Sequence, residues 1–337
     1  MTDAYQPPHA FGHKAAAAPD PLSDSGFDAV YAAKIEPELQ ARELDREGAV
    51  RAFWLRLGLG MVVTGVLAGL AWAWLDRTAP SQAMVRLLQL TAIGIAGSAW
   101  IAWRPLKRVG QETKRDVLGA LCAPMGVTYA LDRFDPPSFD RFCTLGMLGE
   151  SNERSFEDLF QGTRDGCAFA LYEANLRRRA GKSAVQVFRG QLIRIGFPKR
   201  FLGTTIVLRD AGFFNRFKHF PGMQKVGLGD AGFERTFEVY GSDQVEARFL
   251  VHPAFMQKLL DLEAAYKGAN LRCAFEGGDL LLAVEGPDMF EIGDLFENLV
   301  NRERARKLDA DLGRVLGLID AVLAGPPPAY GAGGSVS

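Results

Sequence analysis

The sequence has few of the residues that most often carry chemistry. Its 337 residues include four cysteines and four histidines. The cysteines form no CxxC pair and have no histidine at metal-ligand spacing, which excludes the usual patterns of a zinc site or a disulfide framework. We therefore expect no metal or other cofactor, and four small buried thiols in a reducing compartment. The four are Cys122, Cys143, Cys167 and Cys273.

The sequence also lacks the motifs of the common catalytic folds and an excess of charge of either sign. It contains no P-loop, no GxGxxG after a strand, and no HExxH, GxSxG or kinase signature, so the corresponding reactions lack their residues. Lysine and arginine total 39 against 40 acidic residues, which argues against nucleic acid as a partner. The sequence alone assigns no reaction.

Two long apolar runs stand out near the N-terminus. Residues 53–75 carry one charge, Arg56, and residues 87–103 carry none. A helix needs roughly 20 apolar residues to cross a bilayer, so the pattern predicts a transmembrane hairpin over residues 52–104. A signal peptide fits poorly, because the first run begins some fifty residues into the chain and a second run follows it directly.

Basic residues predict the orientation of the hairpin, since cytoplasmic flanks carry more lysine and arginine. Arg42, Arg46 and Arg51 precede the first span, whereas the loop between the spans offers only Arg77 and Arg86. Five more follow the second span: Arg104, Lys107, Arg108, Lys114 and Arg115. We expect a multi-pass protein of the bacterial inner membrane with both termini in the cytoplasm. The five tryptophans, all near the span ends, support insertion because indole rings favour the headgroup layer.

Small residues recur four apart within both spans. Gly65 and Gly69 form a GxxxG motif in the first span, and Gly94 with Ser98 repeats the spacing in the second. Such residues let helix backbones approach closely, either within the hairpin or between two copies of the chain. We favour packing within the hairpin, since it already needs one such contact. With almost no ionisable groups inside, the spans are suited to anchorage more than to a transport pathway.

The rest of the chain is expected to be cytosolic. Its predicted parts are a disordered tail (1–25), a helical segment (26–51), a juxtamembrane helix and linker (105–135), an α+β domain (136–324) and a second disordered tail (325–337).

The domain at residues 136–324 is dominated by strand patterns. Strands are predicted over residues 167–177, 184–197, 203–210, 236–241, 271–275 and 280–286, and helices over residues 253–266 and 294–323. Tight turns join successive strands without a helix between each pair. This order favours a mostly antiparallel α+β domain with flanking helices.

The first candidate site is the segment FEVYGSDQVEAR, which places Asp243, Glu246 and Arg248 in an apolar and aromatic run. Asp243 has the position of a helix N-cap, and Glu246 three residues later completes a capping-box pattern. The structural interpretation is a local joint or ion pair. The catalytic interpretation, in which His252 joins the cluster, requires a shared cleft and shifted pKa values; we favour the structural one.

The second candidate is basic. Arg177, Arg178, Arg179 and Lys182 lie in a predicted hairpin turn, and Lys199 and Arg200 follow the next strand. These residues are either a solvated loop or a surface for anionic lipid or an acidic partner, and membrane tethering makes the second interpretation more plausible than it is for a free protein.

Three segments resemble a known bacterial family. FRGQLIRIGF, FEVYGSDQVEAR and LLLAVEGPDMFE are similar to segments of the two-span membrane proteins that carry domain of unknown function 3137, over roughly residues 139–296. The resemblance implies that family's architecture, and no catalytic residues.

These observations lead to one expected function and two alternatives. We expect a non-enzymatic, membrane-anchored cytosolic domain that binds or scaffolds a partner, a lipid or a small ligand. The alternatives are a membrane-tethered enzyme built around Asp243, Glu246 and Arg248, and an accessory subunit that docks through its spans.

Overall fold

A computed structural model describes residues 23–78, 83–181, 183–198, 200–210, 220–265, 270–291 and 293–323. Most of the two expected tails therefore lies outside the described residues, as do Lys182 and Lys199.

Two long helices form the N-terminal third of the chain. A short helix α1 (Asp24–Val30) leads through a π-helical turn (Tyr31–Ile35) into α2 (Glu36–Thr78), and α3 (Ala83–Cys122) returns beside it. Pro37 lies at the beginning of α2, where its missing N–H is tolerated, and the π-helical turn directly precedes this restart of the helix.

Within the described residues, nine antiparallel strands form one sheet. In order along the chain they are β1 (Thr128–Ala130), β2 (Glu153–Arg164), β3 (Cys167–Ala180), β4 (Ser183–Gly196), β5 (Thr205–Arg209), β6 (Gln224–Lys225), β7 (Phe237–Gly241), β8 (Arg272–Glu276) and β9 (Asp279–Glu285). Their order across the sheet is β1-β2-β3-β4-β9-β8-β5-β7-β6. The antiparallel α+β layout predicted from the sequence is thus present, with two long helices before it.

Five further helices flank the sheet. They are α4 (Phe139–Thr144), α5 (Ala231–Glu234), α6 (Gln244–Leu250), α7 (Pro253–Ala265) and α8 (Arg302–Leu323). The last helix starts eight residues later than the expected residue 294. Asn301 explains the start, because its side-chain oxygen accepts hydrogen bonds from the backbone N–H groups of Glu303 and Arg304 and so caps the helix.

The sheet is covered on both faces. One face packs against the helices, and its buried side chains include Phe27 and Leu39 before the spans and Leu106 and Leu118 after them. The other face packs against α4 and the chain that follows it, around Phe142 and Tyr172. The segments at residues 26–51 and 105–125 therefore contribute directly to the domain core.

The structure explains why the segment FRGQLIRIGF has a glycine at position 190. This residue of β4 pairs with Glu285 at the end of β9 and has a φ of 151°, a region that other residues rarely adopt. A Cβ at this position would overlap the carbonyl oxygen of Val284. Glycine therefore allows β9 to lie close to β4 at the point where the chain leaves the sheet.

The long helices carry the chain's apolar surface. Each is long and apolar enough to cross a membrane, and the most apolar 18-residue window of each has no buried residue. Trp54, Leu67, Trp74, Ile93 and Trp100 are among the large side chains exposed there.

Candidate functional site

Asp243 caps helix α6. Its Oδ1 accepts hydrogen bonds from the backbone N–H groups of Val245 at 2.8 Å and Glu246 at 2.9 Å. The residue just before it adds a second link, because the backbone N–H of Ser242 donates to the Thr204 carbonyl at 3.0 Å and the Ser242 Oγ accepts from the Thr204 N–H at 2.9 Å. The start of α6 is thereby joined to the loop before β5.

Glu246 binds that same loop. The side chain is buried, with 3% of its surface exposed, and it does not close a capping box. Instead its two carboxylate oxygens accept hydrogen bonds from the backbone N–H groups of Leu202 and Gly203, both at 2.7 Å. Two backbone donors on one carboxylate satisfy its buried charge and fix the loop against the helix.

Arg248 and His252 contact other parts of the chain. The exposed guanidinium of Arg248 donates to the Gly227 carbonyl at 3.2 Å and to the Gln244 side chain. The Nδ1 of His252 accepts from the Phe255 N–H at 3.3 Å and caps α7, and burial with the nearby Lys258 lowers the histidine pKa. Asp243, Glu246, Arg248 and His252 thus each have a structural hydrogen-bond partner.

The structure separates the predicted basic residues into two groups. Arg177, Arg178 and Arg179 lie exposed at the end of β3, where Arg178 is 3.9 Å from Glu150 and Arg179 is 3.0 Å from Glu153. Arg200 follows the other end of β4. Because β4 is 14 residues long, about 45 Å separates its ends, so the two groups do not form one surface.

The small residues of the spans also divide into two sets. A Cβ at Gly94 would lie 2.6 Å from Thr64 Cγ2, and one at Gly60 would overlap the Ser98 side chain. Gly94 and Ser98 therefore lie where α2 and α3 meet. In contrast, a Cβ at Gly65 or Gly69 would meet no atom within 4 Å, so this GxxxG motif lies outside the contact between the two helices.

A buried ionic network links α3 to the sheet, and sequence reasoning did not find it. The Lys114 ammonium donates to Asp158 Oδ2 at 2.6 Å, and the Tyr129 hydroxyl donates to Asp158 Oδ1 at 2.7 Å. Asp158 is fully buried at a bulge of β2, with a φ of 58°. Burial disfavours the charged lysine, but the Asp158 carboxylate outweighs this effect and raises the Lys114 pKa.

Glu173 lies beside this network on β3. Burial raises its pKa to about 7, although a hydrogen bond of 2.7 Å from the Met289 N–H to its carboxylate opposes the shift. Gln191 on β4 is also buried and donates to the Pro287 carbonyl at 3.1 Å. Glu173 and Gln191 thus hold the chain that leaves β9 against the sheet.

An aromatic cluster forms where the spans enter the domain. Phe296, in the loop between β9 and α8, has its ring centroid 5.4 Å from Phe53, 6.4 Å from Trp54 and 6.2 Å from Trp103. Arg46 on α2 donates to the Leu295 and Phe296 carbonyls. This loop therefore lies at the same height along the helices as the tryptophans that end the predicted spans.

The described residues contain no assembled metal site. Within the described ranges, no group of three or more His, Cys, Asp or Glu side chains is placed to hold a metal ion. The cysteines are free thiols, three of them buried, and burial raises the pKa of Cys122 to about 12, which keeps this thiol protonated and unreactive.

Comparison with known proteins identifies the family of the C-terminal part. Residues 186–323 match the family described as "Protein of unknown function (DUF3137)". The resemblance read from the sequence is thus confirmed over these residues, which match the DUF3137 family. That description names no reaction.

Two further comparisons do not extend this family assignment. No curated protein matches the chain. Among solved structures, the crystal structure of the mycobacterial trehalose monomycolate transport factor A, TtfA, aligns at 12% sequence identity and a TM-score of 0.31, over 64% of this chain and 96% of that chain.

Proposed function

We propose that the protein is a non-enzymatic scaffold or binding protein anchored in the bacterial inner membrane, with its α+β domain in the cytosol. The observation that carries the proposal is the continuity of α2 and α3. Each helix runs unbroken from an exposed apolar segment into the core of the sheet domain: in α3, Trp103 is 45% exposed, whereas Leu106 and Leu118 are fully buried. An anchor built in this way holds the domain in a fixed orientation against the bilayer.

Contacts between the first and last described helices support a location of both termini on the same side of the membrane. Arg302 at the start of α8 forms an ion pair with Asp28 of α1, and the Arg306 guanidinium lies 4.7 Å from the centre of the Phe27 ring. Both helices pack on the sheet domain, so the chain enters and leaves that domain on one side of the hairpin. The basic flanks favour the cytoplasmic side.

Fractionation tests the anchorage directly. The protein should stay in the membrane pellet after washing with high salt and with alkaline carbonate, and detergent should release it. Release by salt alone would contradict the proposal, because two inserted spans cannot be extracted by screening charge.

A second candidate function is that of an accessory subunit of a membrane complex, or a homodimer, that docks through α2. The open space beside Gly65 and Gly69 favours it, since close approach of a second helix needs such residues. Crosslinking in native membranes followed by mass spectrometry tests it. Crosslinks from α2 to another chain support docking, whereas crosslinks confined to the α2–α3 pair contradict it.

A further inference from the structure

The β3–β4 hairpin extends past its neighbours in the sheet. Strand β2 begins at Glu153 opposite Arg177, and β9 ends at Glu285 opposite Gly190. Beyond these points the two strands of the hairpin form ladder pairs only with each other, down to Ala180 and Ser183, and the Asn152 side chain bonds to the backbone N–H and carbonyl of Arg179. We call the described residues 177–181 and 183–186 the hairpin tip; it carries three exposed arginines and Val185, which is 63% exposed.

Two contacts with β2 give the relative direction of helix α3 and strand β3. At the far end, Gly126 follows α3 and its carbonyl lies next to Gly162, which pairs with Phe169 of β3. Twelve residues back along the chain, Lys114 contacts Asp158, and the neighbouring Glu157 pairs with Glu173. The direction from Phe169 to Glu173 along β3 is therefore the direction that leads along α3 toward the predicted spans.

Extrapolation places the hairpin tip beside the end of the second span. From Glu173 to Arg177–Arg179 the strand advances four to six residues, or about 13–20 Å at 3.3 Å per residue. The same distance along α3 from Lys114 is about 9–13 residues at 1.5 Å per residue, which leads to residues 101–105. Trp103 and Arg104 lie in this range.

The loop after β9 reaches the same end of α3. Met289 donates to Glu173, and seven residues later Phe296 contacts Trp103. The chain therefore runs from the position of Glu173 to the predicted bilayer surface. This is also the direction in which β3 continues to its tip.

From this geometry we infer that the hairpin tip reaches the lipid headgroups and binds anionic lipid through Arg177, Arg178 and Arg179. The inference rests on the proposed membrane anchorage. Glu150 and Glu153 pair with two of the arginines, but these pairs are exposed to solvent and weak, and Arg177 forms no ion pair with any residue that the structure describes. Arginine binds phosphate oxygens readily, and the exposed Val185 beside it suits the apolar edge of the headgroup layer.

The test uses the full chain reconstituted in liposomes. Cys143 is changed to Ser so that it does not take up the label; the other three cysteines are buried. A fluorophore is attached at Val185→Cys in the tip, at Ala168→Cys near the other end of β3, or at Leu67→Cys in the first span. Nitroxide groups on the lipid headgroups or acyl chains quench any label they contact. Ala168 is exposed and lies ten residues along β3 from Arg178, the pairing partner of Val185, or about 33 Å, so it is the matched control.

We expect headgroup quenching at Val185 and none at Ala168, with stronger quenching in liposomes that contain phosphatidylglycerol than in phosphatidylcholine alone. Each Arg→Gln change in the tip should lower the equilibrium constant for lipid contact about fivefold. Arg200→Gln, at an exposed and distant position, should leave this constant unchanged.

The three labels separate the possible failures. If acyl-chain nitroxides do not quench Leu67, the proposed anchorage itself is wrong. If Leu67 is quenched but Val185 behaves like Ala168, the anchorage stands and the lipid contact is overturned. Shielding of the Val185 label from solvent in native membranes but not in liposomes would also overturn the lipid contact. That result would favour an acidic protein partner.

Discussion

Glu246 illustrates how single residues of this protein serve its architecture. Its buried carboxylate takes the backbone N–H groups of Leu202 and Gly203, so it joins two distant parts of the chain. The neighbouring Arg248 is exposed and donates to carbonyl and amide oxygens. The two side chains, adjacent on α6, should therefore differ sharply in their effect on stability.

Glu246→Ala should lower the free energy of unfolding by about 2–4 kcal/mol, because two backbone donors lose their acceptor. Arg248→Ala, the matched control, should change it by less than about 0.5 kcal/mol. Thermal unfolding of the detergent-solubilised protein measures both. A stable Glu246→Ala protein would show that the loop does not depend on this carboxylate.

Lys114→Met should destabilise the fold by about 3–5 kcal/mol, because it leaves the Asp158 charge buried without its partner. Adding Asp158→Asn should recover much of the loss, since asparagine tolerates the positive φ at this position and carries no charge. A double-mutant cycle by denaturant unfolding measures the coupling. Additive effects of the two changes would contradict a direct ion pair.

Glu173 should make stability depend on pH. Its pKa is about 7 in the fold against an ordinary value of 4.5, so between these values the folded state holds a proton that the unfolded state has lost. Stability therefore falls as the pH rises through this window. Glu173→Gln cannot ionise, so relative to the natural protein it should gain at most about 3 kcal/mol at high pH and little at low pH.

Unfolding curves recorded on both sides of neutral pH test this expectation. The exposed Glu303→Gln on α8 serves as the control for loss of a carboxyl group at the surface. A Glu173→Gln protein whose stability tracks the natural protein across the range would rule out a buried titrating carboxyl at this position.

At the scale of elements, the spans present two different faces. Gly94 lies against Thr64 of the other helix, whereas Gly65 has open space around it. Gly94→Leu should lower the melting temperature in detergent, with an overpacking cost of about 1–3 kcal/mol. Gly65→Leu should leave it unchanged at low protein concentration, and equal losses at both positions would contradict this division of faces.

The strands differ in how far the sequence could predict them. Strands β3, β4, β5, β7, β8 and β9 were predicted because β-branched or alternating residues lie between clear turns. The 12-residue strand β2 was missed, because the bulge between Glu157 and Phe160 adds a residue and shifts the alternation by one position. Polar residues dominate on both sides of the bulge, and Phe156, Leu159 and Phe160 are the large apolar side chains of the segment, so the pattern does not read as one strand.

The candidate sites show a similar limit. The N-cap at Asp243 needs only neighbouring residues, so the local spacing was enough to suggest it. Lys114 and Asp158 are 44 residues apart, and nothing in either segment indicates that they meet. The loop partners of Glu246 are equally distant in sequence, which is why a capping box was the natural but incomplete interpretation.

For the whole molecule, α2 and α3 connect the apolar segments to the sheet domain through continuous helix, with Pro105 inside α3 near the junction. The chain before α2 and the chain after α3 both enter the core, and Arg42 on α2 joins Glu112 and Asp116 on α3 at 2.6 and 2.7 Å. In the proposed anchorage, a partner would therefore meet the sheet at a set height relative to the bilayer.

The central claim is that both long helices cross the membrane with the sheet domain inside the cell. Labelling of single cysteines in intact cells with a membrane-impermeant maleimide tests it most directly, in a background where Cys143 is replaced by Ser. We expect Ser81→Cys, between the spans, to react in intact cells, and the exposed Ala168→Cys in the sheet domain to react only after permeabilisation. Labelling of Ala168→Cys in intact cells, with Ser81→Cys protected, would contradict the account.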